Sequence, residues 1–345
     1  MNEAGEIFKR IRPKCVALVE ITFTDSFKSG SPALLDALKA LNKELSISVG
    51  DLYMKQNGTL ALPVNLAEYV MVPLSKILKL NELSDSELEY VLSIIHILLK
   101  YSWCQSGVLS KDLFTQYVTL ISFLIGGKPN EFDIGMRSEE TYLAGIRCLK
   151  ELLSGSLNQG SNFTSAIVQD TKFIPTLGFL VSILLNIIVQ SMAVELRCQS
   201  LEALNILFHL INDGEILSLF FPGAISSMAK IVRLRPHSNV IMDLFITMST
   251  LTNLIFSDFD LGVQIEDVID SLETLKNTME EQEDGEDGID FASIVNIKIP
   301  ENLHVGKKHR TSTWLLSTMV QFQKAISIIL NIDLNRYDKR SLRDA

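Results

Sequence analysis

The chain is predicted to be all-α, an α-solenoid of stacked helical hairpins, and three observations predict it. Apolar residues recur at helical spacing, not with the alternation of strands, along most of the 345 residues. Segments that open with helix-start chemistry follow one another in pairs. The most apolar run, Phe173 to Val194, has 22 residues without a formal charge and leads almost directly into an amphipathic one, Glu195 to Ile211. An all-apolar helix must be sheathed by neighbours or by lipid, and its partner, with Leu201, Leu204, Leu207, Phe208 and Ile211 on one stripe, supplies part of that sheath. A hairpin of this kind cannot stand alone, so hairpins must stack.

In chain order, Ala4 to Glu20 forms a first helix with Ile7, Ile11, Cys15 and Leu18 on its apolar side and Pro13 expected to bend it. Ser29-Gly30-Ser31-Pro32 punctuates. A second helix, Ala33 to Leu45, carries Leu34, Leu38, Leu41 and Leu45, and Asp51 to Pro63 is expected as a loop. First helices then start near Val64, Ser110, Thr171, Glu215 and Ile265, and second helices near Ser84, Ser138, Glu195, Pro236 and Thr311. Ser84-Asp85-Ser86-Glu87 is a capping box, and Ser138 precedes Glu139 and Glu140, whose charges suit a helix N-terminus. Leu88, Val91, Leu92, Ile95, Leu98 and Leu99 share a face, as do Tyr142, Ile146, Leu149 and Leu153. The stretches 155–161 and 126–130 read as loops. The whole, 1–345, is one solenoid: N-terminal helices over 1–50, regular hairpins over 64–257, an acidic insertion over 279–308 expected to be disordered, and a last helix over 309–335 with Leu315, Met319, Phe322, Ile326 and Ile329 as its stripe.

Leu196-Arg197-x-x-Ser200-x-x-Ala203-Leu204 is similar to the second helix of a HEAT repeat, in which small residues admit the paired helix and an arginine lies near the helix start. Pro175 fits the first turn of the preceding helix, where its missing N–H is not needed. The steps from Val64 to Ser110, Thr171 to Glu215 and Glu195 to Pro236, of 46, 44 and 41 residues, fit the HEAT spacing of roughly 40 to 47, and the larger steps contain insertions. The turn Gln190-Ser191-Met192-Ala193 lacks the aspartate usual between HEAT helices, which leaves the packing role of Arg197 open.

Charge is localised. The net charge is −10, yet Asp258 to Asp290 holds thirteen acidic residues against Lys276, a local −12, so the remainder of the chain is +2. Near-neutral surfaces elsewhere give no footing for direct nucleic-acid binding, which needs clustered Lys and Arg. The N-terminus has neither the apolar core of a signal peptide nor the acid-free character of a transit peptide, which points to a cytoplasmic and nuclear protein. Phe173 to Val194 is long enough to cross a bilayer, but Pro175, Asn186 and Gln190 and the lack of flanking Lys and Arg favour a buried helix over a membrane span.

No nucleotide-binding, zinc-protease, nucleophile-elbow or kinase-type motif is present, so the chain is expected to be no enzyme and to need no cofactor. Cys15, Cys104, Cys148 and Cys198 have no metal spacing and read as reduced core residues. His96 and His209 read as hydrogen-bonded core or groove residues. The charged insertion admits two readings: a solvated loop whose charges partly cancel, or a partner-docking element made of Glu280, Glu281, Glu283, Asp284, Glu286 and Asp287 with Lys307, Lys308 and Arg310.

Four stretches carry a family resemblance: Phe8 to Leu18 (FKRIRPKCVAL), Tyr69 to Leu78 (YVMVPLSKIL), Ile174 to Leu185 (IPTLGFLVSILL) and Phe220 to Met228 (FFPGAISSM). In this order and spacing the chain resembles the N-terminal region of the TELO-two-interacting protein one family, the HEAT-repeat subunit of the Triple-T co-chaperone complex, and the acidic insertion looks like that of a fungal member. The resemblance implies an N-terminal fragment of a longer, non-catalytic scaffold. With the other two Triple-T subunits, that scaffold brings newly made phosphatidylinositol-3-kinase-related kinases to the Hsp90 machinery. A karyopherin-like or trafficking solenoid adaptor is the alternative.

Overall fold

The computed structural model describes residues 3–23, 30–55, 62–79, 83–105, 107–126, 137–168, 170, 172–234 and 236–257; these form eleven α-helices and one π-helical turn, with no strand among them. The acidic insertion, the final stripe and the hairpin expected from Ile265 lie outside the described residues. The chain divides into two compact units, Met1–Ile183 and Leu184–Ala345.

In the first unit, α1 (Glu3–Thr22) and α2 (Pro32–Lys55) bury the expected stripes, Ile7, Ile11, Cys15 and Leu18 on one and Leu34, Leu38, Leu41 and Leu45 on the other. Pro13 lies inside α1 without ending it. The loop expected from Asp51 begins later, because the buried stripe of α2 continues through Ser48 and Val49 and the helix runs on to Lys55. There follow α3 (Val64–Ile77), α4 (Asp85–Leu98), a π-helical turn (Leu99–Trp103), α5 (Lys111–Gly126), α6 (Glu139–Asn158), the short α7 (Ser161–Val168) and the start of α8 (Ile174–Gln190). Helices α2, α4 and α6 pack side by side in that order; α1 lies against α2 and α3, and α5 against α6 and α7. Edge-to-face contacts of Phe114 with Phe163 and Phe173, at 6.3 and 5.8 Å between ring centres, tie α5 to α7 and to the entry of α8.

Directional bonds set the register of this layer. The Ser84 hydroxyl accepts from the Glu87 N–H at 3.4 Å, and the Glu87 carboxylate accepts from the Ser84 N–H at 3.0 Å, which is the predicted capping box. Glu87 is only 1% exposed and its other oxygen accepts from the Gly30 N–H at 2.9 Å, so the same carboxylate pins the turn before α2. At the start of α6, Ser138 caps Thr141, donates its own N–H to Asp85 at 2.7 Å and its hydroxyl to Glu89 at 2.9 Å, while Arg137 reaches Asp85 at 3.2 Å. Further along, the Ser93 hydroxyl donates to Asn42 of α2 and the Cys148 thiol to the Leu92 carbonyl of α4.

The 155–161 stretch corrects the reading as a loop. α6 continues to Asn158 with Gly155 and Ser156 buried, because a Cβ on Gly155 would lie 2.5 Å from the Cβ of Cys104 and 3.2 Å from its Cα. The glycine there is an approach point and not a turn. The turn falls at Gly160, with φ +96°, a conformation that costs other residues more. Gly126 likewise closes α5 and is buried; residues 127–130 lie outside the described set.

In the second unit, the remainder of α8 leads through residues 191–193 into α9 (Val194–Ile211), α10 (Gly214–Arg233) and α11 (Ser238–Ser257). The break at 191–193 cuts the uncharged run, and among the described residues no helix is long and apolar enough to cross a membrane. Arg197 is 6% exposed and donates to the Val189 carbonyl at 3.5 Å, so it serves an orphan acceptor in the last turn of α8, where the repeat pattern would offer an aspartate. The expected stripe of α9 is buried together with Ala203 and Ser200, whose hydroxyl bonds back to the Leu196 carbonyl at 2.7 Å. Asn212 ends α9 in the left-handed conformation (φ 40°) and Asp213 caps α10 by accepting from the Ile216 N–H at 3.0 Å. α11 packs on α9 and α10.

Candidate interaction surface

All nine residues of the predicted docking element, Glu280, Glu281, Glu283, Asp284, Glu286, Asp287, Lys307, Lys308 and Arg310, lie outside the described residues. The functional surface has to be built from what α3 to α6 present.

The densest titratable cluster gathers where α4 and its π-helical turn meet α6. His96 Nε2 lies 3.9 Å from Glu151, with Cys104 and Cys148 close by. Burial, and then the positive charges of Lys100 and Arg147, lower the imidazole pKa. Burial raises the Glu151 carboxyl, with Lys100 opposing it. Burial and Glu151 push the Cys104 thiol up to about 12 and also raise Cys148, which Cys104 raises further. A nucleophilic cysteine needs a depressed pKa and a cationic neighbour. Here every direction is the reverse, so these thiols stay protonated and pack as small apolar groups, as predicted for Cys104 and Cys148. Cys15 is likewise raised to about 12 by burial. Among the described residues no group of three or more His, Cys, Asp or Glu could hold a metal ion. His96 is half-buried beside Glu151, but His209 is exposed: it falls between Phe208 and Leu210 on the outward side of α9, where an apolar count along the sequence does not distinguish flank from core.

In the same unit, α3 and α5 leave an open groove of 380 Å³ between them. Its floor is aromatic. Trp103, from the π-helical turn, and Tyr117, from α5, sit 4.9 Å apart between ring centres, both buried, and burial raises the Tyr117 pKa. The extra residue of a π turn re-aims the side chains that follow it, and here the turn ends on the indole that fills the space under α3 and α5. Met71, Val72, Leu113 and Leu120 form the walls, and Val72 is 55% exposed. Glu68 contributes the charge. Across the Leu120 ridge a second groove, of 630 Å³, runs from α5 to Asp170 and includes Phe123, which is 52% exposed. Lys111 and Asp170 pair across it at 3.0 Å; hydrogen bonding to Lys111 is the main reason the Asp170 carboxyl titrates low.

Sequence reasoning passed over both grooves. The signals were present as Tyr101-Ser102-Trp103-Cys104, an aromatic run just beyond a stripe, and as Val72 and Phe123 on the polar sides of their helices. None of them breaks a helical pattern, and a groove between two helices exists only after the helices pack.

Comparison with known proteins places these observations. The family model described as the TTI1 N-terminal TPR domain matches residues 8–337. TEL2-interacting protein 1 of Saccharomyces cerevisiae is 32% identical over 338 residues, which is 96% of this chain and 31% of the yeast protein, so the chain spans under a third of that relative's length. No solved structure matches. The family description names TPR repeats, of about 34 residues, whereas successive equivalent helices from α3 to α11 start 40 to 63 residues apart here; TPR and HEAT repeats alike are stacked antiparallel helix pairs.

Proposed function

The chain belongs to the TTI1 N-terminal TPR family and is a helical scaffold of that type, and from that premise we propose that it works as part of the scaffold subunit of the Triple-T co-chaperone complex. It acts without catalysis, in the cytoplasm and nucleus, by holding the other two subunits and newly made phosphatidylinositol-3-kinase-related kinases for the Hsp90 machinery. One observation carries the reading: the match to a protein named for its interaction with TEL2 extends over 96% of this chain. The physical chemistry supports it, since helices that bury their stripes against neighbours leave ridges and grooves outward, and partners bind such surfaces by burying roughly 1,600 Å² in total.

The test uses the full-length protein at its native level. Affinity purification should recover the TEL2 homologue, the third subunit and kinase clients, and depletion should lower the steady-state amount of those kinases. Recovery of none of them, with kinase levels unchanged on depletion, would overturn the proposal.

A further inference from the structure

We propose that the groove between α3 and α5 is a docking site for a basic amphipathic helix of a partner protein. The inference rests on the scaffold reading for its kind of ligand, a protein, and adds where and by what chemistry it binds. The groove runs between two helices whose lining residues recur at helical spacing, Glu68, Val72 and Ser75 on α3 and Leu113, Gln116 and Leu120 on α5. Facing rows of this kind accept side chains at i, i+3/i+4 and i+7 of a third helix, ridge into groove. A peptide that binds by strand addition would need a free sheet edge, and no strand exists among the described residues to offer one.

The floor explains why an apolar face enters. Trp103 and Tyr117 are already buried and rigidly paired, so an aliphatic side chain that reaches them displaces water without ordering the pocket. Charge selects the other face. Glu68, on the groove wall, and Asp112, at the head of α5, are exposed and have no ion-pair partner among the described residues. The bases next to the groove are engaged: Lys111 is held by Asp170 at 3.0 Å, and Lys76 lies over the Phe23 ring, 3.2 Å from its centre. The field over the groove is therefore negative, and Lys or Arg flanking the apolar stripe of the incoming helix completes it.

The test uses the 345-residue chain and two labelled 14-residue helical peptides, one of Leu and Lys and one in which Glu replaces every Lys, each with a photo-crosslinking benzophenone on its apolar face. The Leu/Lys peptide is expected to bind, to crosslink to α3 and α5, and to lose about tenfold in affinity with Val72→Asp or Glu68→Lys. Glu68→Lys should in turn improve binding of the Leu/Glu peptide. Val16→Asp, on the exposed side of α1, should change neither, and all three positions are exposed, so unaltered helicity and melting confirm the fold. Equal binding of the two peptides, crosslinks elsewhere, or indifference to Val72→Asp would overturn the groove. If binding to the groove fails while the full-length protein still recovers its complex, the proposed function survives and only the docking site is lost.

Discussion

Two pairs of second helices pack side by side in this molecule, and they are held by different physics. Between α4 and α6 the helix starts are stitched by Asp85, Glu89, Arg137, Ser138 and Thr141 in one polar network, above an apolar seam. Between α9 and α11 the contact is mostly apolar; the Thr247 hydroxyl reaches the Leu201 carbonyl at 3.4 Å but bonds its own helix more closely at Asp243, and the Cys198 side chain of α9 hydrogen-bonds Asp243 of α11. The first pair has its register specified by directional groups, densest at the helix starts. The second relies on shape along its length. The lesson is that one repeat architecture can distribute specificity differently, and that the two pairs should respond to different perturbations.

The largest effect is expected in the apolar pair. Phe208→Ala empties a fully buried site in α9 and should cost about 3–5 kcal/mol, read as lost hydrogen-exchange protection across α9 and α11. A loss below about 1 kcal/mol would mean that shape is not what holds the pair. Next is Gly155→Val, which forces α6 away from Cys104 and should cost about 1–3 kcal/mol by overpacking, with the reporting amides in α6 and the π-helical turn. Asp85→Ala removes the acceptor of Arg137 and Ser138. Both ion-pair side chains are about a third exposed, so only about 1 kcal/mol is expected, and it should shrink in high salt. An equal response of α9 and α11 amides to this change would erase the contrast.

The smallest effect concerns pH. His96 titrates below its ordinary value in the folded chain, so as pH falls the unfolded chain takes the proton first. Its contribution is present above about pH 6.5 and declines below it. Glu151, raised by burial, has the opposite sign: the folded chain holds its proton longer, so stability is lost as pH climbs through its folded pKa. His96→Gln should therefore flatten the decline in stability between pH 7 and the range where Glu151 begins to protonate, as measured by urea unfolding at stepped pH. An unchanged slope would remove His96 as its source.

Much of this was legible without coordinates. Helical spacing located α3 to α6 and α8 to α11 but not the short α7, and the Ser84 and Ser138 caps are local chemistry that needs no neighbour to be recognised. Errors came where a residue type has two uses. Gly155 and Ser156 look like punctuation, yet they are buried in α6; Asp51 reads as the start of a loop, yet α2 continues past it to Lys55. His209 sits among apolar residues in the chain and points to solvent in the fold. The grooves left only Trp103, Val72 and Phe123 as marks in the sequence, and none of these breaks a helical pattern.

What the residues determined alone is the existence and order of the longer helices and the capping of α4 and α6, because periodicity and end chemistry act within a few residues of chain. Packing decided the rest. Whether a missing Cβ marks a turn or a close approach depends on the atom facing it, here Cys104. Whether Val72 is core or contact surface depends on which helix lies beside it and how far away. These are distances between elements remote in sequence, and they acquire values only when the chain is folded.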